Sequence, residues 1–388
     1  MSCSGGEPDR SALARSRSID HQLDEERERR QKEIQLLVLG ASGSGKSTFI
    51  KQMRIRYGDG FPENERHYFK PFIYENITHA LHHVLDHMAS MKIDFNDPSM
   101  TETVSEFEKK YPRIRALLLH TVEEDGTHFD HNNTNLFPAR PRRLSNFYCH
   151  YEKPDIFLIL QVWLDPGVQE CYKNLNDPDN EIFLPYSEEY FLSNIERIMQ
   201  QNYMPTLADI LHIRKTTIGV QESVFTINNL SYRFIDVAGQ KSQRKKWIPF
   251  FEGVSAVIFF AALSAFDEIL EEEPAMNSMQ DSLQAFSDVV QNRFLENMNF
   301  ILFLNKEDLF IRKLKFTKMS KNFPDYTGDN SPEQCQEYIK DKFLEKKPNK
   351  KNIYTHITCA VDETKMRNVL ENMLEMIVEF NIRKCGTY

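Results

Sequence analysis

The chain has 388 residues, 40% of them hydrophobic and 27% charged, an ordinary globular composition long enough for two domains. Its formal net charge of -9 disfavours a nucleic-acid partner, and no apolar run reaches bilayer length. The first residues (Met1-Ser2-Cys3-Ser4-Gly5-Gly6) lack a secretory apolar core, and Cys3, Cys149, Cys171, Cys335, Cys359 and Cys385 are too scattered for a zinc pair or a disulfide framework, so the sequence reads as cytosolic with reduced thiols.

Residues 1–32 begin polar and become helical and heavily charged; Glu25 to Arg29 and Glu26 to Arg30 have the acid-to-base spacing of an exposed helix. Cys3 is placed to carry a thioester-linked lipid, whereas Ser2 stands where myristoylation needs glycine. Glu33 to Leu39 is an apolar run of strand length. It meets Gly40-Ala41-Ser42-Gly43-Ser44-Gly45-Lys46-Ser47-Thr48, which fits G-x-x-x-x-G-K-[ST], and a helical pattern follows. Small residues let successive backbone N–H groups face phosphate oxygens. Lys46 adds a point charge, the Ser47 hydroxyl can ligate Mg²⁺, and the helix that starts there aims its positive end at the same anion.

From about residue 64 to 208 helical periodicity dominates, as in Ile73, Ile77, Leu81, Val84 and Leu85. This block reads as a helical domain inserted into the nucleotide fold. Residues 120–150 carry loop chemistry; His128, Asp130 and His131 lie close together there but fall short of a zinc ligand set. From residue 220 the pattern turns strand-like. Glu222–Ile227 and Ser231–Asp236 flank Asn228-Asn229-Leu230 as a hairpin, and apolar runs at 256–260, 300–304 and 353–357 alternate with helical segments, the mark of a mostly parallel sheet covered on both faces. Met366, Val369, Leu370, Met373, Leu374, Ile377 and Val378 give the last helix one buried face.

Further chemistry sits at strand ends. Asp236-Val237-Ala238-Gly239-Gln240 offers a carboxylate that can hold Mg²⁺ through water, an unobstructed N–H at Gly239 for a γ-phosphate, and Gln240 to orient an attacking water. In Asn305-Lys306-Glu307-Asp308 the Asp308 carboxylate can accept from guanine N1 and its exocyclic amine, a pair adenine lacks. In Thr358-Cys359-Ala360 the Ala360 N–H can meet guanine O6. Upstream, Thr217 can complete a Mg²⁺ shell and Arg214 can stabilise charge on a transferring phosphoryl group.

With these elements in order, the sequence closely resembles the α subunit of heterotrimeric G proteins, over nearly the whole chain and most specifically in 34–53, 190–214, 236–247 and 303–309. The resemblance implies an α/β P-loop GTPase (Ras-like) fold with a mostly parallel sheet flanked by helices and an inserted all-α helical domain. Its implied domains are an N-terminal helix (1–32), a discontinuous GTPase domain (33–62 and 209–388) and the insert (63–208). It implies a GDP/GTP switch that hydrolyses GTP, with Arg214 as a built-in arginine finger, Gln240 as the water-positioning residue, and Ser47 and Thr217 as Mg²⁺ ligands. The nucleotide contacts it implies are Gly43, Ser44, Gly45, Lys46, Ser47, Thr48, Ser187, Leu211, His212, Arg214, Thr217, Asp236, Gly239, Asn305, Lys306, Asp308, Cys359 and Ala360. Implied partners are a βγ dimer in the GDP state, a seven-helix receptor at the C-terminal tail, and effectors and GTPase-accelerating proteins (RGS-type) at 214–219 and 236–249. The N-terminus would hold the protein peripherally on the cytoplasmic face of the plasma membrane, with Cys3 palmitoylated.

Several positions depart from the family pattern. Ser42 replaces a glycine and Gly43 a glutamate, which predicts slower hydrolysis, through crowding of the glutamine and water, and easier nucleotide exchange. The alternative reading is a GTP-bound docking module with little hydrolysis. Smaller differences are Ala238, Lys241, Gln243, Val361 and Tyr186, and Thr387 near Cys385 leaves the class open. The surplus near 118–153 reads as either a partner-binding segment or an unconstrained loop.

Overall fold

The computed structural model describes residues 33–112, 154–177, 180–182, 184–270, 272–348 and 351–384. Cys3, the N-terminal charged helix, the 118–153 segment with His128, Asp130 and His131, and the tail from Cys385 lie outside the described residues, as does the side chain of Tyr186.

Strand β1 (Glu33–Gly40) is the centre of the larger sheet. Its alternation is that of a strand buried on both faces: Leu36 and Val38 enter one apolar cluster, Leu37 and Leu39 the other. Helix α1 (Lys46–Tyr57) follows the glycine-rich loop and packs Phe49, Ile50 and Met53 under the sheet.

An all-helical segment comes next: α2 (Lys70–Met91), α3 (Met100–Lys110), α4 (Ile156–Leu164), α5 (Pro166–Leu175), α6 (Tyr186–Ser193) and α7 (Leu207–His212). It has its own core, in which Ile73, Ile77, Leu81 and Val84 of α2 meet Leu158, Val162, Val168, Cys171 and Phe191. Helix α7 starts at a reciprocal cap, Thr206 bonding the Asp209 N–H and Asp209 the Thr206 N–H. The fully buried Asp209 carboxylate also accepts from Tyr190, Tyr203 and Arg197.

The chain then returns to the sheet. Strands β2 (Val220–Ile227) and β3 (Leu230–Val237) form an antiparallel hairpin, turning at Asn228 and Asn229 with φ of 50° and 62°, a left-handed pair that asparagine tolerates. After β4 (Ala256–Ala262), a small separate hairpin of β5 (Ile269–Leu270) and β6 (Glu273–Asn277) leads into α8 (Ser278–Val290). Strand β7 (Asn299–Asn305), α9 (Glu307–Leu314), α10 (Pro332–Leu344), β8 (Ile353–Ile357) and α11 (Glu363–Lys384) complete the fold. The sheet order is β2-β3-β1-β4-β7-β8, parallel except at β2. Helices α8, α9 and α10 cover one face through Leu283, Phe286, Phe310 and Phe343, while α1 and α11 cover the other. Among the described residues no helix is long and apolar enough to cross a membrane.

Candidate nucleotide site

The chain passes from β1 to β2 and β3 on one side and then crosses from β3 to β4 on the other, so the loop after β1 lies at the switch in strand order where open α/β sheets place ligands. Two glycines shape that loop. Gly40 has φ 140°, and a Cβ there would fall 2.1 Å from the Phe260 carbonyl oxygen on β4. Gly45 has φ 105°, and its Cβ would fall 2.1 Å from Asn305 Nδ2. A side chain at either position would force strand β4 or Asn305 away. The Ser44 hydroxyl donates to the Ala41 carbonyl (2.8 Å), and Lys46 Nζ donates to the carbonyls of Gly40 and Ala41, each at 2.9 Å. Burial lowers the Lys46 ammonium to about 8, against the pull of Asp236.

Three oxygen side chains converge at the start of α1. Ser47 Oγ lies 2.6 Å from Thr217 Oγ1 and donates to Asp236 Oδ2 at 3.2 Å. Burial raises the Asp236 carboxyl to about 6, partly offset by Lys46 and the Ser47 hydrogen bond. The other oxygen, Oδ1, is buried and accepts no hydrogen bond among the described residues. Two hydroxyls and an under-satisfied carboxylate form a hard, all-oxygen donor set that fits Mg²⁺. Gly239 closes the group: a Cβ there would lie 2.3 Å from the Gly40 carbonyl oxygen and 2.5 Å from Lys46 Nζ. Thr48 is half-buried in the first turn of α1.

Asn305, at the end of β7, ties three loops together. Its Nδ2 donates to the Ser44 carbonyl (2.8 Å), and its Oδ1 accepts from the Ala360 N–H (2.9 Å) and the Thr358 hydroxyl (3.2 Å). Lys306 follows at φ 62° as the N-cap of α9; burial lowers its pKa, and the nearby positive charge of Arg214 adds to that effect. Asp308 is half-buried and hydrogen-bonded to Cys359, whose thiol is pushed up to about 12 by burial and by that carboxylate.

Other residues singled out in the sequence make no described hydrogen bond to these groups. The Arg214 side chain is exposed, but its backbone is held on both sides by one residue: its N–H donates to Asn76 Oδ1 (3.0 Å), and its carbonyl accepts from Asn76 Nδ2 (3.2 Å). Gln240 is half-buried, and among the described residues its side chain has no hydrogen-bond partner. Leu211 is buried; His212 stacks on Tyr190 (ring centroids 3.7 Å apart, 7° between planes), and its Nδ1 lies 2.8 Å from the Ala208 carbonyl. Ser187 is half-buried in the first turn of α6. Ser42 is exposed.

Two positioning residues, Asn76 and Lys51, are not singled out by the sequence, and the structural role of Arg244, which lies in a stretch that carries the resemblance, is not legible there. Asn76 was hidden in the periodicity of α2, where its only signal is a polar residue at a buried register. Lys51 donates to the carbonyls of Ile210 (2.8 Å) and Ile213 (3.2 Å), anchoring the approach to Arg214; burial, with Lys215 nearby, lowers its pKa to about 7. Arg244 forms a forked ion pair with Asp281 of α8, while Trp247 Nε1 donates to the Ala238 carbonyl, so the turn after Gly239 is clamped to the core. The glycine-rich loop after β1 thus bonds to the Asn305 carboxamide through Ser44 and to a hydroxyl–carboxylate cluster through Ser47, and an all-helical insert separates the loop from Thr217 in the sequence. A family model described as the G-protein alpha subunit matches residues 13–377, nearly the whole chain, and the chain belongs to that family of guanine-nucleotide-binding signalling subunits.

Proposed function

We propose that this alpha subunit binds GDP and GTP in the cleft above β1 and hydrolyses GTP slowly, with Gln240 and Arg214 as its catalytic residues. The family is one of GTPases. The observation that carries the residue assignment is the meeting of Ser47, Thr217 and Asp236 within 3.2 Å beside Lys46 and Gly239. Bound there, Mg²⁺ would neutralise charge on the phosphates, with Ser47 and Thr217 as direct ligands and Asp236 acting through water. Lys46 would turn from its own loop's carbonyls to the phosphate oxygens, and Gly239 would present its N–H to the terminal phosphate. Arg214 would reach the transferring group from a backbone fixed by Asn76, while Gln240 orients the attacking water. Asp308 and the Ala360 N–H would select guanine. Gly43, Ser44, Gly45, Thr48, Ser187, Leu211, His212, Asn305, Lys306 and Cys359 complete the proposed nucleotide shell.

The departures at Ser42 and Gly43 underlie the proposed slow hydrolysis and easy exchange. Gly43 has φ 70° with nothing within 4 Å of a Cβ, so a side chain there meets backbone strain rather than a clash. Restoring the family residues with Ser42→Gly/Gly43→Glu is expected to slow GTPγS uptake; equal or faster uptake in the revertant would remove the exchange argument.

The proposed partner surface is 214–219 with 236–249, where Ile218 and Ile248 are more than half exposed (53% and 54%) beside the exposed Lys245 and Lys246. It would receive a βγ dimer in the GDP state, and effectors and GTPase-accelerating proteins in the GTP state. The tail from Cys385 would meet a seven-helix receptor, and a Cys3-acylated N-terminus would hold the protein on the cytoplasmic face of the plasma membrane. The deciding experiment is single-turnover GTP hydrolysis beside GTPγS uptake in Mg²⁺, with Gln240→Leu as control. Hydrolysis that the control loses supports the switch. Uptake with no hydrolysis in either protein would replace it with a GTP-bound docking module.

A further inference from the structure

The helical insert contains a second cluster of ligating side chains, different in chemistry from the oxygen set at Ser47. Helix α2 carries His79 and His83 one turn apart on one face, and the first turn of α6 brings Glu188 against them. Their ligand atoms all lie within 4.8 Å of one another. His83 Nδ1 is 2.7 Å from Glu188 Oε2, and His79 Nδ1 is 3.3 Å from Glu188 Oε1. Two donors held about 2.0–2.1 Å from one tetrahedral cation stand about 3.4 Å apart, so small side-chain adjustments would admit an ion.

The cluster is fixed from below and open from above. The Glu188 side chain is 4% exposed, whereas those of His79 and His83 are 39% and 33% exposed. Oε2 of Glu188 bonds to His83, but Oε1 is buried without hydrogen-bond geometry to any described group. Oε1 has His79 Nδ1 at 3.3 Å but no well-formed hydrogen bond, which leaves a lone pair that a cation can take, and the half-exposed histidines leave both an entry path and room for water ligands.

We propose that His79, His83 and Glu188 bind a divalent transition cation, with zinc the best match to two imidazole nitrogens and one carboxylate oxygen, and with solvent water completing the shell. Mg²⁺ and Ca²⁺ prefer all-oxygen sites and fit poorly. The ion would bolt α2 to α6. The residues flanking Glu188 are Ser187 and Glu189, and Glu189 is paired with Arg312 of the GTPase domain at 2.9 Å, so the bolted helix also forms a contact between the two domains.

The test uses the full chain loaded with GDP and Mg²⁺. Zinc chloride is titrated against a chromophoric chelator, and cobalt chloride is added in parallel. The wild type is expected to bind one more equivalent of zinc than His79→Ala/His83→Ala, and to give the intense visible absorption of tetrahedral cobalt that the variant lacks. Glu188→Gln is expected to weaken binding by more than about 10-fold, since even outer-shell changes cost roughly 10–100-fold. His79→Gln, at a half-exposed position, serves if either variant fails to fold. Subtraction between proteins removes zinc held by thiols or by other histidines. Equal zinc stoichiometry and affinity in the wild type and a folded variant would overturn the proposal and leave a plain histidine–carboxylate ion pair.

Discussion

Gly239 has no room for a methyl group. The Cβ of an alanine would press on the Gly40 carbonyl oxygen at 2.3 Å, which is backbone and cannot step aside, and on Lys46 Nζ at 2.5 Å. Gly239→Ala is therefore expected to push the turn that carries Gln240 off the phosphate loop. A displacement of about 1 Å can cost roughly 10²-fold in rate, so single-turnover hydrolysis should fall by about that factor while GDP binding changes little. An unchanged hydrolysis rate would mean the turn already stands clear of the loop when GTP is bound. Asn305 makes the complementary point at the base end, because one carboxamide satisfies the Ser44 carbonyl, the Ala360 N–H and the Thr358 hydroxyl at once. The sequence assigns N-K-x-D a guanine-selecting role, but this structural duty of its asparagine is not legible there: two of its three partners lie more than 50 positions away, and the third is farther still.

At the scale of elements, α7 depends on the buried Asp209. Burial alone would raise this carboxyl, but hydrogen bonds from Arg197, the Thr206 N–H and two tyrosines outweigh it and hold it at about 2, below its usual 3.8. A depressed carboxylate contributes stability that is fully present above its unfolded pKa and is lost as pH falls through the folded one. Here that amounts to about 2 kcal/mol, disappearing between pH 3.8 and about 2. Asp209→Asn leaves Arg197 without its anion and is expected to cost about 3 kcal/mol at neutral pH. Thermal unfolding should show a lower midpoint for the variant and a gap that narrows as pH drops below 3.8. A gap constant down to pH 2 would assign the effect to packing instead. The elements themselves were largely legible: the apolar runs at 256–260, 300–304 and 353–357 lie within β4, β7 and β8, and the spacing from Ile73 to Val84 marks a helix face that is buried. The pairings between elements were not. The sequence drew attention to His128 and His131 for their adjacency, whereas the histidines the fold brings to a carboxylate, His79 and His83, sit at helical spacing and more than 100 positions from their partner Glu188. Local pattern encodes which face is apolar; it does not encode which distant side chain the tertiary fold sets opposite.

Across the whole molecule, the described polar contacts between the insert and the GTPase domain include Glu189 to Arg312 and Asn76 to the Arg214 backbone. Arg312→Ala removes a partly exposed ion pair worth up to about 1 kcal/mol, so GDP release is expected to quicken by no more than about fivefold. An unaltered release rate would show that this pair does not limit opening of the cleft. The Asn76 contact has a different consequence, and it concerns timing. The arginine proposed for catalysis is fastened on one side to the insert, through Asn76, and on the other to α1, through the Lys51 bonds to the Ile210 and Ile213 carbonyls. If the insert swings away to release nucleotide, the Arg214 backbone loses both Asn76 bonds while Lys51 keeps hold of the segment before it. Exchange and hydrolysis are then alternate strokes of one hinge: a molecule open enough to reload cannot fire, and a change that slackens the hinge should speed release and slow hydrolysis together, both readable from one GTP-loaded sample.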